Sequence, residues 1–143
     1  MKEKKKSANW YIAATHYLTA GFAIPFLIGL AASFILLPLI ELGSTLLITI
    51  FLLVVRLLAI WFGVMYAANY LKKTYIIEDK NKIVNLATMY FVVLNGGWWG
   101  ISTIISGKRV GVDVVFSLLN FIILAPLFYL FSKKYISNTE TVA

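Results

Sequence analysis

The chain has 143 residues, of which 61% are hydrophobic and only 13% charged, and its mean hydropathy is +0.87. That length suits one domain, and the composition excludes an ordinary soluble one, which is about half apolar and about a quarter charged. The formal charge of +7 does not point to nucleic acid, because the Lys and Arg residues punctuate apolar runs instead of lining one aromatic-rich face. With no cysteine, disulfides, thiolate metal ligands, Cys nucleophiles and thioether lipid anchors are all excluded.

The amino end, Met1-Lys2-Glu3-Lys4-Lys5-Lys6, looks like the start of a signal peptide. However, Ala31-Ala32-Ser33 leads straight into Phe34-Ile35-Leu36-Leu37, so an apolar anchor that is retained fits better than a cleaved leader. Residues 8–20 carry Trp10, Tyr11 and Tyr17, amphipathic rings suited to the headgroup region, and read as a short interfacial helix. The alternative is a helix continuous with the first span and bent at Pro25. His16 in this stretch reads as an ordinary headgroup residue in preference to a proton relay.

A helix that crosses the hydrocarbon core needs about 20 apolar residues. Four segments qualify: 21–40, ending near Pro38; 45–71, closed by Lys72-Lys73; 84–106, ended by Gly107-Lys108-Arg109; and 111–132, ended by Lys133-Lys134. Glu41-Leu42-Gly43-Ser44 makes a tight turn between the first two. Pro126 should kink the last span by freeing the carbonyl of Ile122. The 78–82 loop reads as a solvated turn, and the polar tail from Ser137 to Ala143 as disordered. The fold class expected is therefore all-α, an integral membrane protein of four transmembrane helices preceded by a short interfacial helix.

Orientation follows from the basic residues. Lys2, Lys4, Lys5, Lys6, Lys72, Lys73, Lys80, Lys82, Lys133 and Lys134 fall on one side of such a fold, and only Lys108 and Arg109 on the other. Basic loops stay cytoplasmic, so both termini and the 72–82 loop should face the cytoplasm of a multi-pass cell-membrane protein. These flanks also suit anionic lipid headgroups.

The informative residues are polar ones inside the spans. Arg56 sits midway along the second, where an arginine costs about 2.5–3.5 kcal/mol even on the lenient insertion scale. Helical spacing puts it on a stripe with Thr45, Thr49, Leu52, Ala59, Gly63, Tyr66 and Tyr70, expected to face neighbouring helices. In the third span Asn85, Thr88, Val92, Asn95, Trp99, Ser102 and Ser106 share a seam, and Gly96 and Gly100 form a Gly-x-x-x-Gly pair for close packing. In the fourth, Asp113, Ser117 and Asn120 share one face. Arg56, Asn95 and Asn120 lie at similar depth and form the candidate polar cluster, with Asp113, Ser117, Thr88 and Trp99 as secondary candidates and Gly63, Gly96 and Gly100 as packing positions. A mid-span Asn, Ser or Thr is more often interhelical glue than the lining of a pathway.

Catalysis finds little support: there is one His, and no paired carboxylates, metal-ligand spacing or Gly-rich phosphate loop. No cofactor or metal is expected. Two functions remain. One is a non-catalytic accessory or scaffold subunit that associates, with itself or another membrane protein, through its polar and small helix faces. The other is an oligomeric channel or transporter for a small anionic or polar solute using Arg56, Asn95 and Asn120.

Overall fold

The computed structural model describes residues 4–41, 45–97, 101 and 112–139, and for 39, 41, 45–46 and 112–120 the backbone only. Every element among the described residues is helical. Helix α1 (Asn9–Tyr17) passes through a π-helical turn (Leu18–Ala23) into α2 (Ile24–Glu41). Helix α3 (Thr45–Thr74) follows, then α4 (Lys80–Tyr90) with a second π-helical turn (Phe91–Asn95), and lastly α5 (Val112–Tyr135). Two stretches, Asn9–Pro38 and Leu47–Thr74, are long and apolar enough to cross a membrane.

The first correction concerns residues 8–20. No separate interfacial helix exists: α1 continues without a break into α2, and its face of Ile12, Ala13, His16 and Tyr17 is buried in the core. The bend expected at Pro25 becomes a π turn just before it. Proline supplies no N–H to the carbonyl four residues back and its ring crowds that group. The wider turn relieves the crowding, and the N–H of Ile24 reaches back five residues to the carbonyl of Thr19. Pro38 likewise does not end the first long helix, which runs on through it to Glu41.

The core gathers Ile12, Ala13, Tyr17 and Ala20 from the first helix with Ile60, Val64, Ala67 and Leu71 of α3. Ile83, Val84, Ala87 and Phe91 complete it with Phe128 of α5. The face of α3 that turns inward is thus rotated from the expected stripe: Ala59 and Gly63 are buried, while Tyr66 and Tyr70 point outward at 61% and 43% exposure. Large apolar side chains fill the core better than the polar stripe, and they set the rotation. Gly63 sits at the closest approach of two backbones: a Cβ there would lie 2.7 Å from the carbonyl oxygen of Ala20. Gly96 faces the ring of Phe121, 3.2 Å from where its Cβ would stand.

Three segments are stitched together at one end of the bundle. The N–H of Lys5 donates to the carbonyl of Thr74 at 2.9 Å, and that of Ile76 to the carbonyl of Lys5 at 3.2 Å. The N–H of Thr139 donates to Ile77 at 2.8 Å, while Thr139 Oγ1 accepts from the N–H of Ile77 at 2.9 Å. Asn138 Oδ1 accepts from the N–H of Lys80, and Lys6 pairs with Glu78 at 3.1 Å. The 78–82 stretch is accordingly more than a solvated turn. Asp79 caps α4 by accepting from the N–H of Lys82, so the helix starts four residues before the span expected at 84. The start of the tail is also ordered: Ile136 is buried, and Asn138 and Thr139 are tied to the α3–α4 connection.

Candidate functional site

A cavity of about 260 Å³ opens beside the middle of α3. One wall is Gly21, Pro25 and Gly29, three successive turns of the first long helix. The opposite wall is Val55, Arg56, Ala59 and Ile60 of α3, and the base is Phe91 and Asn95 with Leu124 of α5. Both π-helical turns border this space, one through Gly21 and the other through Phe91 and Asn95. Such turns displace side chains from the regular helical pattern and recur at functional sites.

Arg56 and Asn95 are the only polar side chains of the lining among the described residues. Arg56 is exposed and has no hydrogen-bond or ion-pair partner among the described residues. Asn95 is half-buried. Its Nδ2 donates to the carbonyl of Phe91 at 3.1 Å. Asn95 thus bonds a carbonyl of its own helix. Thr88 does the same about two turns lower, its hydroxyl donating to the carbonyl of Val84 at 2.8 Å. Among the described residues the seam expected on this helix is therefore not a row of interhelical bonds. Asn85 and Val92 on that seam are exposed, and the inward face is Ile83, Val84, Ala87 and Phe91.

Of the three residues of the expected cluster, Arg56 and Asn95 line one cavity. Asn120 lies on α5, and its side chain falls outside the described residues, as do those of Asp113 and Ser117. Trp99, Gly100, Ser102, Ser106, the 107–109 loop and the turn at 42–44 are outside them altogether. Among the described residues no group of His, Asp and Glu could hold a metal ion.

One pair was not expected. His16 is fully enclosed, and its Nε2 lies 2.9 Å from the Oγ of Ser132, itself fully buried. The imidazole lies 5.7 Å from the ring of Phe128, centroid to centroid, and its Nδ1 has no partner. A sequence signal for this existed. His16 falls at helical spacing with Ile12, Ala13 and Ala20, so it belongs to the apolar face of its helix and not to the wet one.

No protein family, curated protein or solved structure matches the chain. The chemistry of the site must therefore be argued from its own residues. The cavity presents a fixed positive charge and an amide among small apolar walls. Its described lining residues include no nucleophile or general base, and a guanidinium beside an amide is chemistry suited to an anionic or strongly polar group.

Proposed function

We propose that the chain is a four-span protein of the cell membrane, with both termini in the cytoplasm, and that it acts as a non-catalytic accessory subunit. It docks through the Arg56 cavity onto another membrane protein. The observation that carries this reading is the placement of Arg56 in a laterally open cavity with Asn95, without a partner among the described residues. A guanidinium at mid-span is costly to insert, so an exposed one in such a place calls for an occupant that offsets its charge.

The membrane part of the reading has its own support. Phe26, Leu27, Leu30, Phe34, Ile35 and Leu37 along α2 are each more than half exposed, an apolar surface far larger than a soluble monomer tolerates. Lys4, Lys5 and Lys6, the α3–α4 connection and the tail meet at one end of the bundle, so the segments richest in lysine share one side. Within a membrane that arrangement fits an even number of crossings between them and agrees with basic residues remaining in the cytoplasm.

The reading is tested by extracting the protein from its native membrane in mild detergent and sizing it, then reconstituting the purified chain in liposomes. The expected result is a complex containing another membrane protein in fixed ratio, with liposomes that stay tight to chloride and sulfate. A homo-oligomer that conducts either anion would contradict it.

A further inference from the structure

We infer that the Arg56 cavity receives the carboxylate of an aspartate or glutamate carried at mid-span by a helix of a different protein. This rests on the docking role proposed above and names the chemistry of the partner. Complementarity of charge at a fixed depth points to the partner. A guanidinium in hydrocarbon is best offset by a carboxylate, which takes its paired N–H donors two at a time and cancels its charge.

This chain holds six acidic residues, and among the described residues none pairs with Arg56. Glu78 and Asp79 lie beyond the end of α3, which is about 27 Å along the helix from Arg56 at 1.5 Å per residue. Glu41 closes α2 about 18 Å beyond Gly29, which lines the cavity. Asp113 precedes Leu124, another lining residue, by about 16 Å on α5. A second copy in the same orientation brings the same carboxylates at the same depths, so self-association leaves Arg56 without a counter-charge. A lipid phosphate is no better placed: Arg56 stands about 16 Å from the start of α3 and about 24 Å from Lys72.

The shape agrees with an inserted side chain. Gly21, Pro25 and Gly29 make a low wall, and a Cβ at Gly29 would meet nothing within 4 Å. Gly29 and Arg56 are both exposed, so a helix can approach from the side.

The test uses the purified chain in phosphatidylcholine liposomes with three fluorescent transmembrane peptides, Leu/Ala spans of about 20 residues bearing a central Asp, Asn or Leu. Energy transfer reports association. The Asp peptide is expected to bind at least about tenfold more tightly than the Leu peptide, a preference lost in Arg56→Leu and Arg56→Gln and partly kept in Arg56→Lys. Circular dichroism and sizing verify that each variant is folded. Equal binding of all three peptides, abolished by Gly29→Leu, would overturn the carboxylate while leaving the docking role. No peptide binding together with anion flux through the wild type would overturn both.

Discussion

The imidazole of His16 and the hydroxyl of Ser132 join the first and last helices through a 2.9 Å hydrogen bond inside an otherwise apolar core. Whichever ring nitrogen carries the proton, Nδ1 has no partner among the described residues, and of these Ser132 alone satisfies the ring. Removing that hydroxyl leaves both nitrogens buried and unpaired. Ser132→Ala should therefore lower the stability of the detergent-solubilised protein by about 1–3 kcal/mol. The double variant His16→Leu/Ser132→Ala, which removes both polar partners, should lose less. Thermal unfolding followed by circular dichroism separates the two; a double variant no more stable than Ser132→Ala would show that the bond is not what these residues contribute.

Gly63 gives a steric prediction. A methyl there would stand 2.7 Å from the carbonyl oxygen of Ala20, which is backbone and cannot swing aside. Gly63→Ala should force α3 away from the first π turn at a cost of about 1–3 kcal/mol. Gly29→Ala, with open space around its Cβ, should leave stability unchanged. Melting temperatures of the two variants make the comparison, and equal losses would mean that α3 and the π turn are not in contact.

The helices were legible in the sequence because apolar runs of span length admit few other folds. Their rotation was not. Grouping Thr49, Arg56, Tyr66 and Tyr70 as one inward stripe assumes that polarity decides which face is buried, whereas Ile60, Val64, Ala67 and Leu71 pack the core and turn both tyrosines outward. Thr88 and Asn95 read as bonds to other helices, yet each binds a carbonyl of its own. Bonds to the helix's own backbone compete with bonds across helices, and residue type alone does not decide between them. The stitching of Lys5 to Thr74 and of Thr139 to Ile77 joins segments distant in sequence, so no local pattern could announce it. Placing Arg56 and Asn95 at similar depth, in contrast, needed only the rise per residue, and both line one cavity.

The stitched end makes a topological prediction. Cysteines placed at Ser7 and Ser137 should both resist an impermeant thiol reagent added outside intact cells, while one at Gly107 should react. Permeabilising the membrane should expose the first two. Labelling of Ser7→Cys or Ser137→Cys from outside would put the lysine-rich end on the wrong side.

Losing the lysines at that end should weaken orientation before it weakens the fold. Lys4, Lys5, Lys72, Lys73, Lys133 and Lys134 are all exposed, so changing them to Gln removes little packing. Their combined replacement is expected to yield a mixed population in the same cysteine assay, with the helical circular dichroism spectrum retained. A single orientation after all six changes would mean that basic flanks do not set the topology.

The docking role of Arg56 is tested most directly by Arg56→Leu in the native membrane, read by sizing the extracted protein and by the melting temperature of the isolated chain. Because the guanidinium is costly to hold in the membrane and has no partner among the described residues, the isolated variant is expected to be at least as stable as the wild type. The larger complex should be lost, and Arg56→Lys should keep part of it. A variant that retains the full complex, or one that unfolds because Arg56 was holding the bundle together, would contradict the account.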